Sequence, residues 1–187
     1  MKDRRSHNIV VVAHCILNQN AKVDGIAEYP GAIQPIAGLL VEQGVGIFQM
    51  PCPEFLYSGP RRWWCVKEQY DTIGFKAHCT RIAKSIADEI EEYKRNGYRV
   101  SCIIGIDQSP SCGIRTTCTS RTYGGRPDRK GARAIRARGV FADLLFRELK
   151  SRRLRIPMIG IPESGLNESS IGRFNGRIIS LIKADRG

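Results

Sequence analysis

Short apolar, β-branched runs alternate with longer amphipathic stretches along this chain. The runs cover 8–13, 45–50, 100–106 and 156–161. Runs of this kind read as strands buried on both faces of a parallel sheet. Between and after them the period lengthens to three and four residues, which predicts helices at about 32–43, 75–96, 139–151 and 168–183. The longest has the clearest stripe: Phe75, Cys79, Ile82, Ile86, Ile90 and Tyr93, with Gly97 supplying a left-handed stop. In the last helix, Asn167-Glu168-Ser169-Ser170 offers a cap before a buried side of Ile171, Phe174, Ile178, Ile179 and Ile182. Strands alternating with helices imply right-handed crossovers. The expected fold class is α/β, a Rossmann-like three-layer α/β/α sandwich with a mainly parallel sheet of at least four strands.

Three connections, 14–31, 51–74 and 107–138, are longer than packing requires. Loops beyond about 12–15 residues in a compact domain usually carry function or are disordered. All three begin at the carboxyl end of a predicted strand, where ligands bind in open α/β sheets. Each has a cysteine near its start: Cys15, Cys52 and Cys112. The fourth strand ends on the same edge in Ile161-Pro162-Glu163-Ser164-Gly165. Three thiols are thus expected to gather at one sheet edge, which points to a metal centre with three protein ligands.

Composition fits that picture. The 187 residues, 42% hydrophobic and 26% charged, are most simply one globular domain spanning 1–187. No apolar stretch approaches the ~20 residues of a membrane span. Met1-Lys2-Asp3-Arg4-Arg5-Ser6-His7 runs directly into a strand with no signal-peptide core, so the expected compartment is the cytoplasm. Seven cysteines, an odd number without a secretion signal, favour metal or catalytic thiols over a disulfide framework. The net charge of +12 is concentrated between Arg115 and Arg155, where thirteen Lys or Arg face only Asp128, Asp143 and Glu148. Such a segment either attracts phosphate-bearing or anionic partners or is a solvated face.

The seven cysteines separate by context. Cys79 belongs to the helix stripe and Cys102 alternates with Val100, Ile104 and Ile106, so both read as core. Cys65 follows Trp63-Trp64 in a loop, a place from which it could line a pocket, with nothing in its spacing that demands metal. Cys118, six residues after Cys112, is the candidate for a fourth ligand. Cys52 is held between Pro51 and Pro53, and Ser109-Pro110-Ser111-Cys112-Gly113 is a turn of small residues that lets backbone approach a bulky ligand. Three soft thiolates with an open position suit a catalytic zinc or a cubane iron–sulfur cluster. His14 is adjacent to Cys15, so on a strand it points to the opposite face and reads as structural.

Cys15-Ile16-Leu17-Asn18, Lys22-Val23-Asp24-Gly25, Cys52-Pro53-Glu54, Ser109-Pro110-Ser111-Cys112-Gly113 and Gly139-Val140-Phe141-Ala142-Asp143-Leu144-Leu145 follow one another in this order. Together they resemble the 2-thiouracil desulfurase family, formerly a domain of unknown function, across nearly the whole chain. The resemblance implies a desulfurase that removes sulfur from a small thiolated compound such as a thiolated nucleobase, converting C=S to C=O without net redox change. It implies a [4Fe-4S] cluster on Cys15, Cys52 and Cys112, with Glu54 and Ser109 catalytic and Ser111 and Asp24 binding substrate. Two departures mark a divergent member: Ala21 stands where the family often has a second cysteine, and Lys22-Val23-Asp24-Gly25 replaces Arg-Tyr-Asp-Gly. Outside the cluster context, Glu54 reads as a cap of the segment that follows it. Arg61 and Arg62 either bind an anionic part of the substrate or are exposed. Two alternatives use the same thiols: an enzyme of tRNA sulfur modification, whose phosphates the basic segment would meet, and a non-catalytic nucleic-acid-binding or redox-sensing module. Against RNA, that segment has a single aromatic in its loop, Tyr123, so stacking platforms are scarce.

Overall fold

The computed structural model describes residues 3–121 and 131–184. In chain order its elements are β1 (Asn8–Val12), α1 (His14–Leu17), a 3-10 turn (Gln19–Ala21), α2 (Gln34–Glu42), β2 (Gly46–Gln49), α3 (Pro53–Ser58), α4 (Lys67–Tyr70), α5 (Ile73–Arg95), β3 (Arg99–Asp107), β4 (Thr117–Thr119), β5 (Arg133–Ile135), α6 (Val140–Ser151), β6 (Met158–Pro162) and α7 (Glu168–Lys183). The four strands and four helices expected from the pattern are all present, with ends displaced by about two residues at most.

The main sheet has the order β2-β1-β3-β6, every pair parallel. The order explains the layers. From β1 the chain crosses outward to β2, then returns past β1 to β3 and continues to β6. Right-handed crossovers in opposite directions put α2 on one face and α5 and α6 on the other. The packing agrees: α5 lies against α6, α7 against α2, and both α5 and α7 contact β3. The fold is therefore a three-layer α/β/α sandwich. Connections leave β1 and β3 in opposite directions, so these adjacent strands form the topological switch point, and a crevice opens beyond their carboxyl ends. Cys15 and Cys112 follow those two strands.

The core confirms the sorting of two cysteines. Cys79 and Cys102 are fully buried among Val10, Val11, Ile103, Ile104 and Ile159 in one apolar cluster. α5 begins where Thr72 Oγ1 accepts the Phe75 N–H at 3.2 Å, and it stops before Gly97 at φ 78°. α7 begins in the expected place, with Asn167 Oδ1 accepting the Ser170 N–H at 2.9 Å. Among the described residues, no helix is long and apolar enough to cross a membrane.

One buried carboxylate organises the edge from which the site is built. Asp107 ends β3; its Oδ1 accepts the N–H groups of Ile114 at 3.2 Å and Arg115 at 2.8 Å, and its Oδ2 accepts from Arg115 Nε at 2.9 Å. On the neighbouring strand a Cβ at Gly160 would occupy the space of that carboxylate. Gly160→Ala is accordingly expected to lower stability by about 2–4 kcal/mol, through displacement of a buried, fully bonded charge. Urea denaturation measures this, and a wild-type midpoint would mean that Asp107 is not held as described.

Candidate active site

Each of the three thiols predicted as ligands is presented by a separate local device. Cys15 sits in α1, the helical turn directly after β1. That turn is tied down by Gln19 Nε2 donating to the Cys15 carbonyl at 2.6 Å and by Ile33 N–H donating to the Ile16 carbonyl at 2.8 Å. Cys52 is the N-cap residue of α3, with Pro53 as the first helical residue, and its Sγ accepts the Phe55 N–H at 3.4 Å. Cys112 is in the turn after β3, where Ser109 Oγ accepts the N–H groups of Cys112 at 3.0 Å and Ser111 at 3.3 Å. The same turn caps α6, which has no side-chain cap. The carbonyls of Pro110 and Ser111 accept the N–H groups of Val140 and Ala142, each at 2.9 Å. A Cβ at Gly139 would strike the Ser111 carbonyl, so glycine is what lets the Gly139-to-Leu145 segment seat the cysteine turn.

Cys15, Cys52 and Cys112 line one cavity of about 40 Å³, together with Glu54, Ser111 and Glu163. Burial is the main influence on all three thiols. It pushes Cys15 up to about 12, with the nearby Cys52 adding to the rise. Cys112 is also pushed well up, by burial and then by Cys52 and Cys15, and Cys52 by burial and then by Glu54. Left to themselves these groups hold their protons; thiolates here require a cation to balance them. Among the described residues, no three His, Cys, Asp or Glu side chains are grouped to hold one metal ion. As a donor set, three soft thiols suit a thiophilic metal centre. An N–H and an O–H are directed at two of the sulfurs, from Phe55 to Cys52 and from Ser111 Oγ to Cys112 at 3.5 Å.

Beside the thiols is a buried polar network. Glu54, in the first turn of α3, accepts from Ser111 Oγ through Oε1 at 2.5 Å and from Tyr70 OH through Oε2 at 3.2 Å. Arg62 Nε reaches the same Oε2 at 3.4 Å, with its side chain only 5% exposed. Its other donors go to the carbonyls of Ala21 at 2.6 Å and Gly59 at 3.1 Å. Arg62 is therefore the buried counter-charge of Glu54 and is neither exposed nor a free anion receptor; Arg61 is exposed. Tyr70, whose phenol is held well above its ordinary range chiefly by burial, was not singled out by the sequence. It lies on α4, a four-residue helix with no motif around it.

The remaining predicted residues are distributed unequally. Ser109 and Ser111 line the thiol cavity, but the Ser109 hydroxyl is engaged by its own turn, whereas Ser111 bridges Glu54 and Cys112. Asp24 is exposed and is not on the cavity wall; its neighbour Lys22 is, with Nζ donating to the Glu163 carbonyl at 3.2 Å. His14 lies in the α1 turn rather than on a strand, 3.4 Å from Asn18 through Nε2 and off the cavity wall. Cys65 lies in a loop, as expected, and the pocket it lines is the thiol cavity. Cys118 lies on β4, donates to the Cys65 carbonyl at 3.7 Å and borders a neighbouring cavity instead. In the basic segment, Arg115 pairs with Asp107, Arg147 with Asp143, and Arg152 with Asp88, Glu91 and Glu148. Tyr123, Arg126, Arg129 and Lys130 lie outside the described residues.

The thiols follow the carboxyl ends of strands in a parallel α/β sheet, and a solved structure shares that fold. A [4Fe-4S]-dependent thiouracil desulfidase, TudS, superposes with a TM-score of 0.51 over 94% of this chain and 99% of its own, at 19% identity. No family model matches the chain. An uncharacterized protein, MJ0003, of Methanocaldococcus jannaschii is 38% identical over 114 residues, which cover 61% of this chain and 70% of that protein. The chain belongs to the same family as that archaeal protein.

Proposed function

We propose that this protein is a divergent iron–sulfur-cluster-dependent desulfurase that acts on a small thiolated compound such as a thiolated nucleobase. The observation that carries the reading is a single cavity in which three thiols from three strand ends adjoin the buried Glu54–Ser111 pair. The shared fold with a thiouracil desulfidase adds support. Cys15, Cys52 and Cys112 would hold a [4Fe-4S] cluster. When bound, the cluster supplies a thiophilic Lewis acid that polarises a C=S bond.

The chain's own residues supply the rest. The reaction is C=S plus water giving C=O plus hydrogen sulfide, with no electrons to account for. Glu54 is the group placed to accept the water's proton, at the oxygens now bonded to Ser111 and Tyr70. Arg62 orients that carboxylate, and the Ser111 hydroxyl can relay a proton between Glu54 and the Cys112 side of the cavity. Ser109 acts on this reading by fixing the turn. All seven cysteines are free thiols, and we place the protein in the cytoplasm, where thiols remain reduced.

Anaerobically purified protein tests the reading directly. It is expected to be brown, with broad visible absorption, about four irons and four sulfides per chain, and to release sulfide from 2-thiouracil. Colourless protein that binds no iron on reconstitution overturns the cluster. Brown protein that releases no sulfide from any thiopyrimidine overturns the substrate.

A further inference from the structure

Beside the thiol cavity lies a second cavity of about 330 Å³. The two share Ile26, Trp64 and Glu163 as a common wall. Their sizes assign them different tasks. About 40 Å³ between the thiols leaves no room for a heterocyclic ring. About 330 Å³ falls within the ~300–1,000 Å³ typical of small-molecule pockets.

Gln108 lines this outer cavity and has an unusual backbone. It lies between β3 and the Ser109-to-Gly113 turn at φ 70°, a left-handed conformation that glycine and asparagine adopt far more readily than glutamine. Its N–H is bonded to the Thr116 carbonyl at 2.9 Å, and the next residues are the turn that carries Cys112. A glutamine carboxamide presents a donor and an acceptor side by side, which matches the N–H and C=O edge of a lactam or thiolactam. Trp64 and Ile26 supply apolar surface at the threshold towards the thiols.

We infer that the outer cavity is the binding chamber for the ring of the substrate, a planar lactam-type heterocycle, and that Gln108 is its specificity-determining contact. This rests on the desulfurase reading for the identity of the reacting group, but the chamber's binding does not depend on sulfur. The ring is held beside Gln108 with its thiocarbonyl turned across the Trp64–Glu163 threshold, so recognition and chemistry occupy adjoining spaces.

The test uses the cluster-loaded protein and two probes: uracil, which has the ring and no sulfur, and 2-thiouracil. Calorimetric titration is expected to show uracil binding to wild type. In Gln108→Gly the dissociation constant for uracil should rise at least about tenfold, the scale of one lost amide pairing. Its iron content and visible spectrum should be unchanged, and its melting temperature equal or higher, because glycine relieves the left-handed backbone. Gln108→Asn, which tolerates that backbone and keeps a shorter amide, should recover part of the binding. Wild type that binds no uracil, or Gln108→Gly that binds it within about twofold of wild type, overturns the chamber. Gln108-dependent uracil binding with no sulfide from 2-thiouracil upholds the chamber and overturns the desulfurase reading instead.

Discussion

Replacing Cys15, Cys52 or Cys112 singly by serine is expected to strip most of the iron and the visible absorption from anaerobically prepared protein. A serine hydroxyl is harder than a thiol and ionises far less readily, so it replaces a cluster thiolate poorly. The cavity amplifies the loss. Burial already pushes Cys15 up to about 12, and Cys112 and Cys52 are raised as well, so an anion survives here only with a cation beside it. Cys79→Ser and Cys102→Ser should behave oppositely. Both sulfurs are packed in the apolar core, where an unpartnered hydroxyl costs about 1–3 kcal/mol of stability but leaves iron binding intact. Iron quantitation alongside thermal melts separates the two groups. Cys65→Ser and Cys118→Ser are the sharper controls, because Cys65 lines the thiol cavity and Cys118 borders the neighbouring one. If Cys118→Ser loses iron as completely as the three proposed ligands, the centre has four protein ligands and no open position, and the mechanism fails.

The contrast among these cysteines was legible in the sequence because it depends on periodicity. Cys79 shares the α5 stripe with Phe75, Ile86 and Ile90, and Cys102 lies inside a strand whose residues from Val100 to Asp107 are all buried. The strand ends were legible for the same reason, and with them the edge at which Cys15, Cys52 and Cys112 meet. What surrounds the thiols was less so. α1, α3 and α4 have four to six residues each, too few to show a helical period, so the loops beyond the strands read as structureless. Arg62 could not be placed, because its burial depends on carbonyls of Ala21 and Gly59 that only the folded loops bring together. Tyr70 was missed on the same ground: its partner Glu54 is sixteen residues away, with no repeat or motif linking them. Asp24 is exposed. Here the motif is altered at Lys22-Val23, and Lys22 rather than Asp24 reaches the cavity. The Asp107–Gly160 pairing joins strands that are adjacent in the sheet and distant in sequence, which no local pattern reports.

Glu54→Gln is expected to retain the cluster spectrum and the iron content while lowering kcat for sulfide release by about 10²–10⁴, the usual contribution of a general acid–base group. The amide is nearly isosteric with the carboxylate and can still pair with Ser111 Oγ and Tyr70 OH, so the network keeps its shape. It cannot accept a proton at the reaction's pH. The change also leaves Arg62 without its counter-charge, and a guanidinium that is 5% exposed is costly to strand. A stability loss of about 1–3 kcal/mol should therefore accompany the loss of rate, and a melt distinguishes it from unfolding. KM for 2-thiouracil should change little, since the ring is bound in the outer cavity and Glu54 lines the inner one. Ser111→Ala makes the complementary case. It removes the 2.5 Å partner of Glu54 Oε1 but spares the carboxylate, so its rate should lie between wild type and Glu54→Gln. Should Glu54→Gln turn over within about threefold of wild type, general acid–base catalysis by this residue is excluded on scale alone. The proton acceptor would then be sought at Glu163, which lines both cavities at the end of the neighbouring strand.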